Sequence, residues 1–382
     1  MNYRKLGRTG LNVSEIGLGS EAFVNRAEDE SLALIQAAIG AGVNYFDLYN
    51  PEPYVRDVLG KAMEGRREKF ILQAHLCSAW LDGQYKRTRN MDEVKAAFAD
   101  LLTRLRTDHI EVGMIHYVDQ QSDFDQVFHG PVIQYAQELK SAGTIRHIGM
   151  STHNPRIALQ AVKTGLVDVI MFSVNPAYDI LPPNEDVNSL FEKATYEAVL
   201  SSTDPERQEL YSLCESEGVA LTVMKPYGGG ALLDAKESPF GIAMTVAQCL
   251  HYCLTRPGVA TILCGARSIE ELMQAVAYCD SAPEEKDYAK VLSGCPAHPF
   301  SDKCMYCGHC APCTVGIDIA TVNKFADLCE AQGTVPETLR EHYSSLPVRA
   351  SACVECGQCE TRCPFGVKIV EHMQKAKAIF GQ

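Results

Sequence analysis

The sequence predicts an α/β chain: a (β/α)8 TIM barrel followed by a small, mostly helical unit rich in cysteine. Three observations predict it. Strand-like and helix-like stretches alternate through roughly the first 280 residues, and eight such units are the arithmetic of a closed barrel. The G-x-G-x-x-G turn of a doubly wound sheet is absent after the first strand, where Gly17-Leu18-Gly19-Ser20 is only a tight turn. Eight cysteines then stand at ordered spacings between Cys304 and Cys363. The expected division is residues 1–285 for the barrel and 286–382 for the second unit.

Eight runs rich in β-branched and apolar residues supply the strands, at 12–19, 44–49, 70–76, 112–118, 147–151, 168–175, 220–227 and 261–267. Between them lie helical patterns such as Ser31–Gly42, Asp92–Arg106, Pro131–Gly143, Glu206–Gly218 and Ile269–Cys279. Several end at glycine, as a left-handed C-cap requires. The stretch from Pro176 to Glu206 is longer than an ordinary connection and reads as an active-site lid or a docking surface. Trp80, Tyr117 and Tyr178 are aromatic candidates for the mouth of the site. Residues 280–303 are linker-like. Residues 316–346 look helical, with Val322, Phe325, Ala326, Leu328 and Cys329 at helical spacing. Cys214, Cys249, Cys253, Cys279 and Cys329 read as core, because free cysteine packs as a small hydrophobe.

Composition narrows the function. With 22% charged and 46% hydrophobic residues, the 382-residue chain is an ordinary globular protein. No apolar run approaches the roughly twenty residues that span a bilayer. A formal charge of −13 argues against nucleic acid and anionic membrane as partners. Sixteen cysteines without an export signal point to a reducing cytoplasm.

The cysteine runs carry the most specific chemistry. Cys304, Cys307, Cys310 and Cys313 form C-x2-C-x2-C-x2-C; Cys353, Cys356, Cys359, Cys363 and Pro364 form C-x2-C-x2-C-x3-C-P. Two residues between thiolates bring three sulfurs onto one face of a tight loop. The second run is the bacterial ferredoxin pattern for a 4Fe-4S cluster, in which the fourth cysteine ligates the other cluster. The first run is one residue shorter and has Thr314 in place of proline. Zinc sites usually show paired C-x2-C units instead. Two 4Fe-4S clusters with crossed ligation are therefore expected. One takes Cys304, Cys307, Cys310 and Cys363; the other takes Cys353, Cys356, Cys359 and Cys313.

The barrel carries a second resemblance. Its marks are Tyr3-Arg4-Lys5-Leu6-Gly7-Arg8-Thr9-Gly10, Gly42-Val43-Asn44-Tyr45-Phe46-Asp47, Leu59-Gly60-Lys61-Ala62, Gly143-x-Ile145-Arg146-x-Ile148-Gly149 and Gly265-Ala266-Arg267-Ser268. Together they resemble the aldo-keto reductases, whose chemistry is hydride transfer from NADPH to a carbonyl. In that family a tyrosine donates the proton, a lysine and an aspartate lower its pKa, and a histidine orients the carbonyl. The resemblance assigns Asp47 and His116 to the aspartate and histidine. It places His75 where the lysine would stand and Glu52 where the tyrosine would stand, flanked by Tyr49 and Tyr54. A neutral imidazole, with an unperturbed pKa of roughly 6.5, lowers a tyrosine pKa less well than a permanent cation does. The proton donor expected is His75, His116, or Tyr54 assisted by one of them.

The loops after strands seven and eight are the phosphate sites of many barrels. Here Gly228, Gly229 and Gly265 offer backbone N–H groups to a pyrophosphate, and Arg267 and Ser268 suit a 2′-phosphate, which favours NADP. Tyr227 or Asn175 would face the nicotinamide. FMN fits the same loops as readily. The function expected is NADP(H)-linked reduction of a carbonyl or related small molecule, with electron transfer through the clusters and a redox partner protein. The alternatives are an electron-transfer or docking protein with a catalytically altered barrel, and a flavin-dependent reductase.

Overall fold

The structure is a computed structural model that describes residues 1–192, 195–196, 203–294 and 300–381. Parts of the long loop (193–194 and 197–202) and of the linker (295–299) lie outside the described residues.

Eight parallel strands close in sequence order: β1 Ile16–Gly19, β2 Tyr45–Leu48, β3 Ile71–Leu76, β4 Ile110–Ile115, β5 Ile145–Thr152, β6 Val169–Ser173, β7 Ala220–Met224 and β8 Val259–Cys264. Ile262 of β8 lies opposite Ile16 of β1 and seals the ring. Strands β4 and β8 are buried along their whole length. Helices cover the outside and side chains fill the inside, so these strands read as apolar runs, not as alternation. The expected (β/α)8 architecture is thus present, with each strand within a few residues of its expected place.

The helices are α1 Glu28–Gly40, α2 Pro53–Met63, α3 Met91–Leu105, α4 Gln121–Phe128, α5 Pro131–Ser141, α6 Pro155–Lys163, α7 Pro205–Glu217, α8 Val246–Thr255, α9 Ile269–Ala277, α10 Tyr288–Ser293, α11 Ile319–Gln332, α12 Glu337–Ser344 and α13 Ile369–Phe380. Their starts follow local chemistry. Proline opens α2, α5, α6 and α7, where its missing N–H is no loss. Asn90, Asn154, Asp204 and Ser268 cap the next turns with side-chain oxygens. Gly60 has a different task. A Cβ there would fall 2.1 Å from the Arg104 carbonyl oxygen, so α2 and α3 cross only because the position is bare.

Two hairpins escaped the sequence reading. Tyr3–Lys5 pairs with Asn12–Ser14, and Arg4 donates to the Leu254 and Val259 carbonyls where β8 begins. Ser78–Leu81 pairs with Gln84–Arg87 across Asp82-Gly83, both with positive φ. That dipeptide between two short runs is a strong hairpin signal.

The long loop does not begin as a lid. Residues 174–181 are buried, and Asp179 sits at a sealed hub, accepting from the Tyr211 and Tyr252 hydroxyls at 2.5 and 2.8 Å with Arg207 at 3.5 Å. Tyr178 is core, not mouth. The linker reading also needs correction, because α10 docks on α8 and Tyr288 is fully buried, donating to the Met305 carbonyl at 2.5 Å. Cys279 is half-buried instead of core.

The C-terminal unit packs against the barrel helices, with α11 lying on α7. Lys324 meets Glu215 at 3.3 Å in the last turn of α7. Arg256, directly after α8, is buried and reaches the Met305 carbonyl between two cysteines. One apolar core runs from the barrel helices into α11 and α13. Among the described residues no helix is long and apolar enough to cross a membrane.

Candidate functional site

A cavity of about 1080 Å³ opens at the ends where the strands finish. Barrel topology brings one residue or more from each strand or its following loop to the lining: Gly19, Asp47, His75, His116, Ser151, Met171, Lys225 and Gly265 among them. Three non-glycine residues just past strand ends, Cys77, Tyr117 and Lys225, adopt left-handed backbone with φ of 68°, 52° and 58°. Each such residue costs on the order of 1–3 kcal/mol and persists only where its surroundings hold it. At Tyr117 the backbone N–H donates to Ser151 Oγ at 2.8 Å, and the carbonyl accepts from Arg87 and Arg89.

On one wall a hydrogen-bonded line runs from the barrel interior to the cavity. Gln73 Nε2 donates to Asp47 Oδ1 at 2.7 Å, and Gln73 Oε1 accepts from the Tyr45 and Thr222 hydroxyls. Asp47 Oδ1 lies 3.0 Å from His75 Nε2. His75 Nδ1 lies 2.7 Å from His116 Nδ1, and His116 Nε2 lies 2.8 Å from the Tyr85 hydroxyl. Asp47, His75 and His116 are buried; Tyr85 is exposed to the cavity. Burial holds the His116 imidazole well below its usual pKa, and His75, Arg89 and Arg87 push it the same way. It is a neutral ring at neutral pH.

The tyrosines sort differently from expectation. Tyr54 is not part of the cavity lining; it sits on α2 with its hydroxyl donating to the Arg26 carbonyl at 2.6 Å. Tyr49 does line the cavity. Its ring stacks on His116 at 6.1 Å, and its hydroxyl donates to Glu21 at 3.0 Å. Burial, then Glu21, raises its pKa far above the usual value. Tyr85 and His153, the latter paired to Asp119 at 2.9 Å, were not foreseen. Tyr85 was findable from the Asp82-Gly83 turn. No local pattern marks His153.

The opposite wall holds the glycines. Gly229, Gly230 and Gly265 border the cavity with Lys225, Tyr227, Arg267 and Glu271. Gly230 has φ of 101° and nothing within 4 Å of where a Cβ would stand, and Gly265 is equally open. The surface therefore admits a close-fitting ligand such as a phosphate chain. Gly228, Asn175 and Ser268 stand behind this wall. Gly228 is buried, and Asn175 braces the loop by donating to the Lys225 carbonyl at 2.9 Å. Ser268 Oγ caps α9 by accepting from the Glu271 N–H. Trp80 and the described part of the 176–206 loop do not reach the lining either.

The two cysteine runs make matching loops. Tyr306 and Glu355, at equivalent places, have φ of 55° and 57°; Gly308 and Gly357 have 81° and 69°; Gly316 and Gly366 have 82° and 69°. The turn bonds repeat, with Ala311 N donating to the Gly308 carbonyl and Glu360 N to the Gly357 carbonyl, both at 3.0 Å. Cys353, Cys356 and Cys359 share a small cavity with Cys313, closed by Ile317, Ile319, Val370 and Met373. Cys307 and Cys310 lie near Cys363, and Cys310 lies near Cys359 as well. Asn323 Nδ2 donates to Cys304 Sγ at 3.4 Å. Among the described residues no group of His, Cys, Asp or Glu converges tightly enough for a lone metal ion. The donor set is eight thiols in two loops of repeated geometry.

Comparison with known proteins gives a consistent picture. The profile of the aldo/keto reductase family matches residues 15–244. An uncharacterized oxidoreductase of Bacillus subtilis, YqkF, is 26% identical over 304 residues, covering 76% of this chain and 95% of its own. L-galactose dehydrogenase of Arabidopsis thaliana is 31% identical over 196 residues, 47% of this chain and 60% of its own. Among solved structures, the holo form of aldo-keto reductase AKR11C1 from Bacillus halodurans matches with a TM-score of 0.59 at 23% identity, over 75% of this chain and 95% of that one.

Proposed function

This chain belongs to the aldo/keto reductase family, and from that premise we propose that it interconverts a small carbonyl compound and its alcohol with NADP(H). The observation that carries the reading is the pairing of two walls in one cavity. The bare glycines and the buried Asp47–His75–His116 line border the same cavity. Gly229, Gly230 and Gly265 would let a pyrophosphate approach the backbone, and Arg267 would meet a 2′-phosphate through its fork of donors. The nicotinamide supplies or takes the hydride when bound. The chain's own part is to hold the reacting oxygen near His116 and to move one proton.

His75 stands where the resemblance would place the family's lysine, so an imidazole lies between Asp47 and His116. Proton transfer at the substrate oxygen then runs through imidazoles. For residues 286–382, we propose a separate unit holding two 4Fe-4S clusters in the crossed arrangement. The matching loops and the cavity shared by Cys313 with Cys353, Cys356 and Cys359 support it. Such clusters exchange single electrons, at potentials tuned by hydrogen bonds to sulfur like that of Asn323. No described residue of 286–381 lines the barrel cavity, so the clusters would serve a redox partner protein, with any link to the hydride site running through a mediator.

Anaerobic purification tests both halves. The expected result is about eight iron and eight sulfide per chain, no flavin absorbance, and saturable quenching of protein fluorescence by NADPH. Bound FMN would favour a flavin-dependent reductase, and absence of NADPH binding would leave an electron-transfer protein with an altered barrel.

A further inference from the structure

We propose that Tyr85 is the acid–base residue of the cavity, and that His75, held against Asp47, stores the proton that Tyr85 exchanges with substrate through His116. This rests on the nicotinamide-linked reading of the cavity and assigns the proton path within it.

The polarity of the line follows from donor counting. The Asp47 carboxylate has only lone pairs, so His75 Nε2 carries the hydrogen across their 3.0 Å contact. In the resting line of this proposal His75 holds that one hydrogen, so Nδ1 presents a lone pair. His116 Nδ1, 2.7 Å away, must carry a hydrogen. That leaves a lone pair on His116 Nε2, and the Tyr85 hydroxyl donates to it at 2.8 Å. Every hydrogen in the resting line therefore points inward, and the Tyr85 oxygen offers lone pairs to the cavity.

This polarity is set to take a proton from an alcohol. The substrate O–H proton passes to the Tyr85 oxygen. The Tyr85 proton passes to His116 Nε2, and the His116 Nδ1 proton passes to His75 Nδ1. The substrate C–H hydride goes to the oxidised nicotinamide and the carbonyl forms. His75 ends as an imidazolium against a carboxylate, gaining the positive charge that the nicotinamide loses. Carbonyl reduction runs the same transfers backwards.

The surroundings decide where the proton rests. His116 faces Arg87, Arg89 and His153, and its ring lies against Tyr49. A cation there meets like charge with no carboxylate in contact. His75 has Asp47 beside it, fixed by Gln73. Arg87 is a positioning residue. It ties the Tyr85 strand down by donating to the Tyr117 carbonyl at 2.8 Å and meeting Asp123 at 3.1 Å.

Two-bond proton–nitrogen correlation spectra of the ¹⁵N-histidine-labelled chain test the polarity without any substrate. At neutral pH, His75 should carry its hydrogen on Nε2 and His116 on Nδ1. A hydrogen on Nε2 of His116, or an imidazolium there, overturns the proposal. In Tyr85→Phe the His116 ring should lose its fixed tautomer. NADPH-dependent reduction of an aromatic aldehyde by the same variant should lose about 10²- to 10³-fold in kcat with little change in KM. The curved proton inventory of the parent should also become linear. A kcat within about threefold of the parent overturns the role of Tyr85. The cofactor reading fails separately: if NADPH does not bind but the tautomers are as stated, the store stands and the hydride carrier is misassigned.

Discussion

The barrel cavity gathers its lining from Gly19 to Glu271, with every strand or its following loop contributing at least one residue. Each cysteine loop gathers its donors from one short stretch, with backbone angles repeated between the two copies. One apolar core lies behind the cavity and runs on into α11 and α13 beside the cysteine loops. The cysteine loops keep six of their eight thiols half-buried, with Cys359 buried and Cys356 exposed. The difference teaches where the energy comes from. The cavity is a by-product of a barrel that closes anyway, whereas the cysteine loops lie at the margin of the shared core, and any group their thiols hold would add its binding energy to their folding. In such units binding energy is folding energy.

Cluster removal should break that contrast or confirm it most visibly. Cys359→Ala is expected to remove about half of the iron and to melt much of the helicity of α11 and α13. NADPH binding by the barrel should stay within a few-fold. Circular dichroism and iron analysis read this together, and loss of the barrel in the same transition would show that the two regions form one cooperative unit.

Asp47→Asn comes next. It leaves the fold almost unchanged, because Gln73 still has a partner, but removes the charge that stabilises protonated His75. Turnover with NADPH and an aromatic aldehyde should fall by about 10²-fold or more. Unchanged turnover would place the chemistry elsewhere.

The helix crossing is a purely packing matter. Gly60→Ala should cost about 1–3 kcal/mol in urea unfolding, since the Arg104 carbonyl must retreat. It should leave iron content alone. A neutral result would mean that α2 and α3 part without cost.

The seam between the regions carries a pH signature. His251 on α8 is pushed down to about 4 by burial and then by Lys286, and it lies beside the Tyr278 and Tyr288 rings. An unfolded histidine titrates near 6.5. Between those values the unfolded chain binds the extra proton, so stability is full above pH 6.5 and declines as pH falls towards 4. His251→Gln should flatten that decline. The smallest effect belongs to Tyr54→Phe: about 1 kcal/mol from its bond to the Arg26 carbonyl, and turnover within about twofold. A large kinetic effect would restore Tyr54 as an acid.

Much of this was readable in advance because it is local. Apolar runs of strand length, glycine at helix ends, and thiols two residues apart each act through neighbours in sequence. So the barrel, its order and the cysteine loops follow from residues such as Gly143, Gly218 and Cys304. The glycine of Leu59-Gly60-Lys61 was visible as a mark, though its reason, the Arg104 carbonyl, was not. The long loop misled because length alone cannot tell a lid from a buried strap. The hub at Asp179 needs Tyr211 and Tyr252, far along the chain, to be seen as core.

The proton line lay beyond the sequence for the same physical reason. Asp47, His75, Tyr85 and His116 meet because barrel closure sets β2, β3 and β4 side by side and folds a hairpin over their ends. Composition along the chain determined which chemistries were present: carboxylate, imidazole, phenol and thiol. Only the tertiary structure decided which phenol faces which imidazole, because hydrogen bonds act over about 3 Å in space and are indifferent to the number of residues between.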